Sequence, residues 1–155
     1  MPPLTLLAAT SLPAIPSGTV APFAWSLVLS GAVVILSLFP LAAGRAKADF
    51  TPADLAAPRA MFERLPAWGK RASWAHQNCF EAFTLFAPAA LLCLVAAPRV
   101  APWVGAVALA HPALRLAYIA AYVANVPVLR SLCWAGAILA NALLYTEGLK
   151  AVLAG

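Results

Sequence analysis

Long uncharged stretches alternate along this chain with short polar ones, at lengths that predict membrane-crossing helices rather than strands. Residues 22–43 (PFAWSLVLSGAVVILSLFPLAA) carry no charge, with Trp25 near one end and Arg45 and Lys47 just past the other. A bilayer core about 30 Å thick is crossed by about 20 apolar helical residues, with aromatic and basic residues favoured at its edges. Residues 22–43 are therefore a first span. Residues 72–97, 100–124 and 128–149 supply three more, divided by Pro98 with Arg99 and by Asn125 to Pro127. Pro88 predicts a kink in the second span. The intervening segment 44–71 differs: Arg45, Lys47, Arg59, Arg64, Lys70 and Arg71 sit among Asp49, Asp54 and Glu63, with Pro52, Pro58 and Pro66 as breakers. It predicts a solvated loop with a short interfacial helical piece.

Composition agrees with this pattern. Hydrophobic residues make up 64% of the 155 and charged ones 10%, against an apolar share of roughly 45–50% in soluble domains. The chain is expected to be an all-α membrane protein, a single domain over 1–155 with no room for a soluble one. The net charge of +5 would suggest nucleic acid in a soluble protein. Here six of the ten Lys and Arg fall in the first loop, so the charge is a topology signal. The positive-inside rule puts loop 44–71 in the cytoplasm and both termini on the opposite side. Residues 1–21 have no basic start, and Pro13 and Pro16 interrupt them, so a loosely ordered leader is expected rather than a signal peptide. Cys79, Cys93 and Cys133 lie in apolar segments without CxxC spacing and are expected to be small buried hydrophobes.

Glu81 breaks the pattern. A carboxylate in a hydrophobic span costs about 2.5–3.5 kcal/mol on insertion scales, so it is expected to face an interior and to have a partner. At 100° per residue, Arg71, Trp74, Asn78 and Glu81 fall within about 80° of one another on the second span, and His111, Arg115, Tyr118 and Tyr122 within about 60° on the third. Arg130 and Ser131 open the fourth span at the same depth. Arg115, Arg130 and the two tyrosine hydroxyls are the candidate partners of Glu81. One reading has these polar groups simply bonding helices together. The other is a ligand pocket for an anionic or zwitterionic molecule, since arginine forks bind carboxylates and Glu81 can hold an amine. His76 is expected to bond or pack between helices or subunits, and His111 to satisfy backbone freed at Pro112. Trp74 suits either an interfacial anchor or a ligand contact. No metal-ligand spacing, phosphate loop or nucleophile triad is present.

The run Ala75-His76-Gln77-Asn78-Cys79-Phe80-Glu81-Ala82-Phe83-Thr84-Leu85-Phe86 resembles the second-helix signature of the MAPEG family, the membrane-associated proteins in eicosanoid and glutathione metabolism. Arg115 to Tyr122, followed by Arg130 and Ser131, is similar to that family's third-helix run and the arginine after it. The resemblance implies a four-helix bundle forming homotrimers, with glutathione or another small thiol bound between subunits near the cytoplasmic side. It further implies that Asn78, Glu81, Tyr118, Tyr122 and Arg115 contact the thiol, with Arg71 and Trp74 beside them. Arg130 would stabilise the thiolate, Ser131 would bond it, and Arg45 would reach the site from the adjacent subunit. Trp74 stands where many members carry an arginine and Gln77 where prostaglandin synthase-like members carry another, and Arg71, one turn below Trp74, is the expected substitute. The implied activity is a thiol-dependent transferase or peroxidase acting on lipophilic electrophiles. Its rival is a non-catalytic membrane protein of the same architecture that binds a lipid or a partner protein. A small proton or solute carrier is a more distant third, as the chain shows no inverted repeats.

Overall fold

Spans of this composition have no polar solvent for their backbone, so each must close its hydrogen bonds internally as a helix. The structure, a computed structural model, describes residues 17–154. Five helices build it: α1 (Ser17–Leu36), α2 (Leu38–Ala46), α3 (Ala67–Val95), α4 (Pro102–Val123) and α5 (Pro127–Leu153). Helices α1 and α2 act as one span, Thr19–Ala46, and with α3, α4 and α5 they make four segments long and apolar enough to cross a membrane. Residues 1–16 of the expected leader lie outside the described residues, but 17–21 already belong to α1. The helix continues through Pro22 although proline removes a backbone donor. A packing contact offsets that loss: α4 brings Gly105 so close to Pro22 that a Cβ on the glycine would stand 2.9 Å from the proline Cβ.

The division between α1 and α2 follows from Pro40 at the third position of α2, whose ring cannot donate to Leu36 and crowds that turn. Ser37 sits at the break. The second span is one uninterrupted helix that holds Pro88 within it.

Helix α3 is the hub, packed against α1, α2, α4 and α5, and α4 also packs on α1 and α5. Small residues line these contacts: Ala75, Ala89, Ala90, Ala108, Ala137 and Ala140 are buried, which lets helices approach without a hydrophobic driving force from lipid. An equally tight approach joins α2 to α3, where a Cβ on Gly44 would lie 2.9 Å from the Gly69 Cα. Backbone cannot yield there as a flexible side chain would. Gly44→Ala is expected to destabilise the protein by about 1–3 kcal/mol, lowering the thermal midpoint in detergent. Gly31→Ala, with nothing within 4 Å of its Cβ, is the matched control, and equal midpoints for the two would refute the crossing as a constraint.

The loop between α2 and α3 is more ordered than a solvated connection. It contains two short 3₁₀ turns, Pro52–Leu55 and Pro58–Arg64. Met61 is fully buried and, with Leu65, joins Leu41, Ala48 and Ala72 in one apolar cluster. Outside this cluster Asp54 accepts hydrogen bonds from the Thr51 N–H (2.9 Å) and hydroxyl (3.0 Å) and pairs with Arg64. The Thr51 backbone bond above all, aided by Arg64, holds this carboxyl below its ordinary value of 3.8.

The far end of α4 explains where the tyrosines stop. Asn125 takes a left-handed conformation (φ 59°); Val126 N–H bonds the Ala121 carbonyl at 2.9 Å and Asn125 N–H the Tyr122 carbonyl at 3.1 Å. This is a Schellman cap. Pro127 then opens α5 at its first position, where no donor is needed.

Candidate functional site

The two stripes read from the sequence do meet, through Asn78. Arg115 is buried on α4, and its Nη2 donates to Asn78 Oδ1 on α3 at 2.9 Å. Because a guanidinium only donates, the amide oxygen must face it, and the amide nitrogen is left to donate to Glu81 Oε2 at 2.8 Å. Beneath this bond the Arg115 guanidinium lies 4.0 Å from the centre of the Tyr118 ring, a cation–π contact that holds it without a carboxylate. The result is a chain Arg115–Asn78–Glu81 running from the core to the surface.

Glu81 thus differs from expectation. It is exposed, and its partner is Asn78 on its own helix, not Arg115, Arg130 or a tyrosine hydroxyl. The reason is angular: Glu81 sits at the outer edge of its stripe, and Asn78 stands between it and α4. Arg71 also departs from the stripe. Its Nε and Nη2 donate to the Val123 carbonyl at 3.2 and 3.1 Å, one of the acceptors orphaned at the end of α4, where a cation also suits the helix dipole. Arg71 ties α3 to α4 and does not line the site. Arg45 lines neither groove described below, and its side chain makes no hydrogen bond or ion pair among the described residues.

Two grooves flank the tyrosine pair. One, about 390 Å³, is lined by Trp74, Gln77, Asn78, Glu81, Tyr118 and Tyr122. The other, about 270 Å³, is lined by Tyr118, Tyr122, Arg130, Ser131 and Trp134. They share Tyr118 and Tyr122, whose rings meet edge to face at 5.5 Å. On one side Trp74 packs at 6.5 Å against Tyr122 and at 5.5 Å against Phe62 from the loop, so it is both a wall of the groove and an anchor for the loop. On the other, the Arg130 guanidinium lies 4.9 Å from the Tyr122 centroid.

Several donors here remain open. Among the described residues the side chains of Arg130, Ser131, Tyr118 and Tyr122 make no hydrogen bond. Ser131 stands apart in this from Ser26, Ser37, Thr84 and Thr146, whose hydroxyls each bond a backbone carbonyl three or four residues earlier. Unpaired donors beside a low-dielectric region favour a ligand rich in acceptors.

Gln77 and Trp134 line the grooves but were not singled out as site residues in the sequence. Their spacing is the signal: Gln77 lies four residues before Glu81, and Trp134 four after Arg130, each about 40° around its helix from that residue.

The histidines lie elsewhere. His76 Nδ1 is 2.6 Å from Ser37 Oγ, the helix-bridging role expected of it. His111 departs from the backbone role predicted at Pro112. Its Nδ1 is 3.2 Å from Ser30 Oγ, and its ring stacks on Phe86 at 3.9 Å. All three cysteines are free and buried, and among the described residues no cluster could hold a metal.

Four helices long and apolar enough to cross a membrane define an integral, multi-pass membrane bundle, with a polar cleft beside paired tyrosines. The MAPEG family model matches residues 22–149, and the chain belongs to the MAPEG family. That places it among membrane proteins of the glutathione and eicosanoid metabolism type. No curated protein and no solved structure matches the chain.

Proposed function

We propose that the protein is a thiol-dependent membrane transferase or peroxidase, with glutathione or a similar small thiol as co-substrate and a lipophilic electrophile as the acceptor. The observation that carries this reading is the shared tyrosine wall, with the open donors of Arg130 and Ser131 on one side and, on the other, the Glu81 carboxylate held by the Asn78 amide N–H. A zwitterionic peptide thiol has groups for both sides: an ammonium for Glu81, carboxylates for the donors, and sulfur for Arg130. The thiol supplies the nucleophile. Arg130 favours the anionic form of a sulfur whose ordinary pKa is about 8.5, and the Ser131 hydroxyl donates to the same atom. Asn78 and Glu81 orient the amine end, Tyr118 and Tyr122 bound the site, and the apolar helix surface admits the second substrate from the bilayer.

The same reading has loop 44–71 on the cytoplasmic side and the termini opposite, with the chain as a homotrimer. Trp74 and Glu81 lie exposed on an outer face of α3 that a neighbouring copy would cover, and Arg45 would be that copy's contribution. A carboxylate facing hydrocarbon is costly, which supports cover on this face.

Glutathione binding by calorimetry and conjugation of a chlorinated nitrobenzene, both on detergent-purified protein, test the proposal. Saturable binding and turnover are expected, with Glu81→Gln raising KM about tenfold through loss of a charged hydrogen-bond partner. Neither binding nor turnover in the wild type would leave the rival, a non-catalytic family member holding a lipid or partner protein, as the better account.

A further inference from the structure

The pocket beside Arg130 has more aromatic surface than a thiol requires. Three of its walls are Tyr118, Tyr122 and Trp134, and the remaining two residues, Arg130 and Ser131, are donors with nothing to bond. Trp134 and, one turn on, Ile138 are 47% and 38% exposed on a helix long and apolar enough to cross a membrane, so the pocket opens sideways toward hydrocarbon. Its volume, about 270 Å³, lies just under the range of about 300–1,000 Å³ typical of small-molecule sites. That is room for one or two fused rings.

We propose that this pocket takes the ring of a planar, electron-poor quinone dissolved in the bilayer, and that this is the lipophilic electrophile. Indole and phenol faces carry negative quadrupole charge, so they stack best on a flat ring depleted of electrons. A quinone carbonyl offers acceptors and no donors, the complement of a guanidinium and a serine hydroxyl. An aliphatic hydroperoxide would engage the donors but give the Trp134 ring, which has no aromatic or cation contact among the described residues, no flat partner.

The chemistry balances without any further reductant. Sulfur adds to an unsubstituted ring carbon, forming the C–S bond, and the C=C electron pair moves onto a carbonyl oxygen. Negative charge therefore passes from sulfur to oxygen among the donors of Arg130 and Ser131. That oxygen takes a proton, the displaced ring hydrogen ends on the second oxygen, and the product is a thioether of the hydroquinone. The quinone gains two electrons and the sulfur is alkylated. Binding of the ring rests on the pocket alone, whereas the addition step rests on the thiol-dependent reading above.

The test uses 1,4-naphthoquinone with the full chain in detergent. Without thiol, saturable quenching of tryptophan fluorescence is expected in the wild type, with a component missing from Trp134→Phe. With glutathione, and over the uncatalysed rate, the ratio of kcat/KM for naphthoquinone to that for tert-butyl hydroperoxide is expected to fall about five- to tenfold in Trp134→Leu and to recover in Trp134→Phe. Leucine keeps much of the volume, so a folded variant is available for comparison. Identical quenching in wild type and Trp134→Phe, or an unchanged ratio, overturns the proposal. If neither substrate turns over with thiol, the transferase reading fails, and the quenching comparison still decides whether the pocket binds the ring.

Discussion

Arg130→Ala is expected to lower kcat/KM for thiol conjugation by about 10²- to 10³-fold, the usual consequence of removing a preorganised donor from a developing anion. Nothing in the bundle depends on this side chain, which makes no hydrogen bond or ion pair among the described residues and only rests over the Tyr122 ring at 4.9 Å. Its loss should therefore leave the bundle folded. The direction of the pH effect follows from charge. A guanidinium beside the sulfur favours thiolate, so without it the acid limb of the pH–rate profile is expected to move to higher pH. Arg130→Lys keeps the charge but not the planar fork, and an intermediate rate with a nearly normal pH limb is expected. A wild-type rate in Arg130→Ala, or a profile that does not move, would remove this residue from the mechanism.

Arg115→Met is expected to raise KM for the thiol about 10- to 100-fold, the scale of a lost hydrogen bond to a charged group, while stability changes little. The two outcomes separate because Arg115 is an unusual buried charge. It has no carboxylate partner among the described residues; it is held by Asn78 and by Tyr118, and its Nε has no bond at all. Charges buried with imperfect pairing contribute little net stability, and an apolar side chain of similar length is often tolerated. What methionine cannot do is orient the Asn78 amide. Freed to rotate, that amide no longer presents its nitrogen to Glu81, and the carboxylate loses its fixed position. On the proposed function Arg115 acts as a positioning residue. Its signature is a KM change with kcat nearly preserved, measured beside thermal unfolding; a large drop in melting temperature with unaltered KM would instead assign it a purely structural role.

Much of this site was legible from spacing. Asn78 and Glu81 share a helix face, as do Tyr118 and Tyr122, because 100° per residue is a local property of the helix. Arg130 and Ser131 join them because a Schellman cap and Pro127 allow only a short turn between α4 and α5. Spacing could not say that Arg71, on the same stripe, would be drawn off by the Val123 carbonyl. Its partner is a backbone group on another helix, invisible to side-chain patterns. Nor could it give the order of the chain from Arg115 to Glu81, since that depends on which edge of α3 turns toward α4. Trp134 and Gln77 were within reach of the same arithmetic but have uncharged side chains that do not stand out in an apolar span.

Glycines show the same division. In the sequence Gly31 reads as a small residue within the first span and Gly44 as the first residue of loop 44–71, yet Gly31 has open space around it and Gly44 lies against the Gly69 backbone.

By itself, then, the sequence determined the membrane class, the four spans and the residues on each polar face, because hydrophobic length and helical periodicity are set by neighbours along the chain. The tertiary structure alone decided that Glu81 is exposed and bonded to Asn78, that Arg115 is buried beneath the site, and that Trp134 walls the pocket beside Arg130. Those outcomes depend on how each helix is rotated against the others. That rotation is chosen by close contacts such as Gly44 with Gly69 and Pro22 with Gly105, which belong to pairs of helices and to neither one alone.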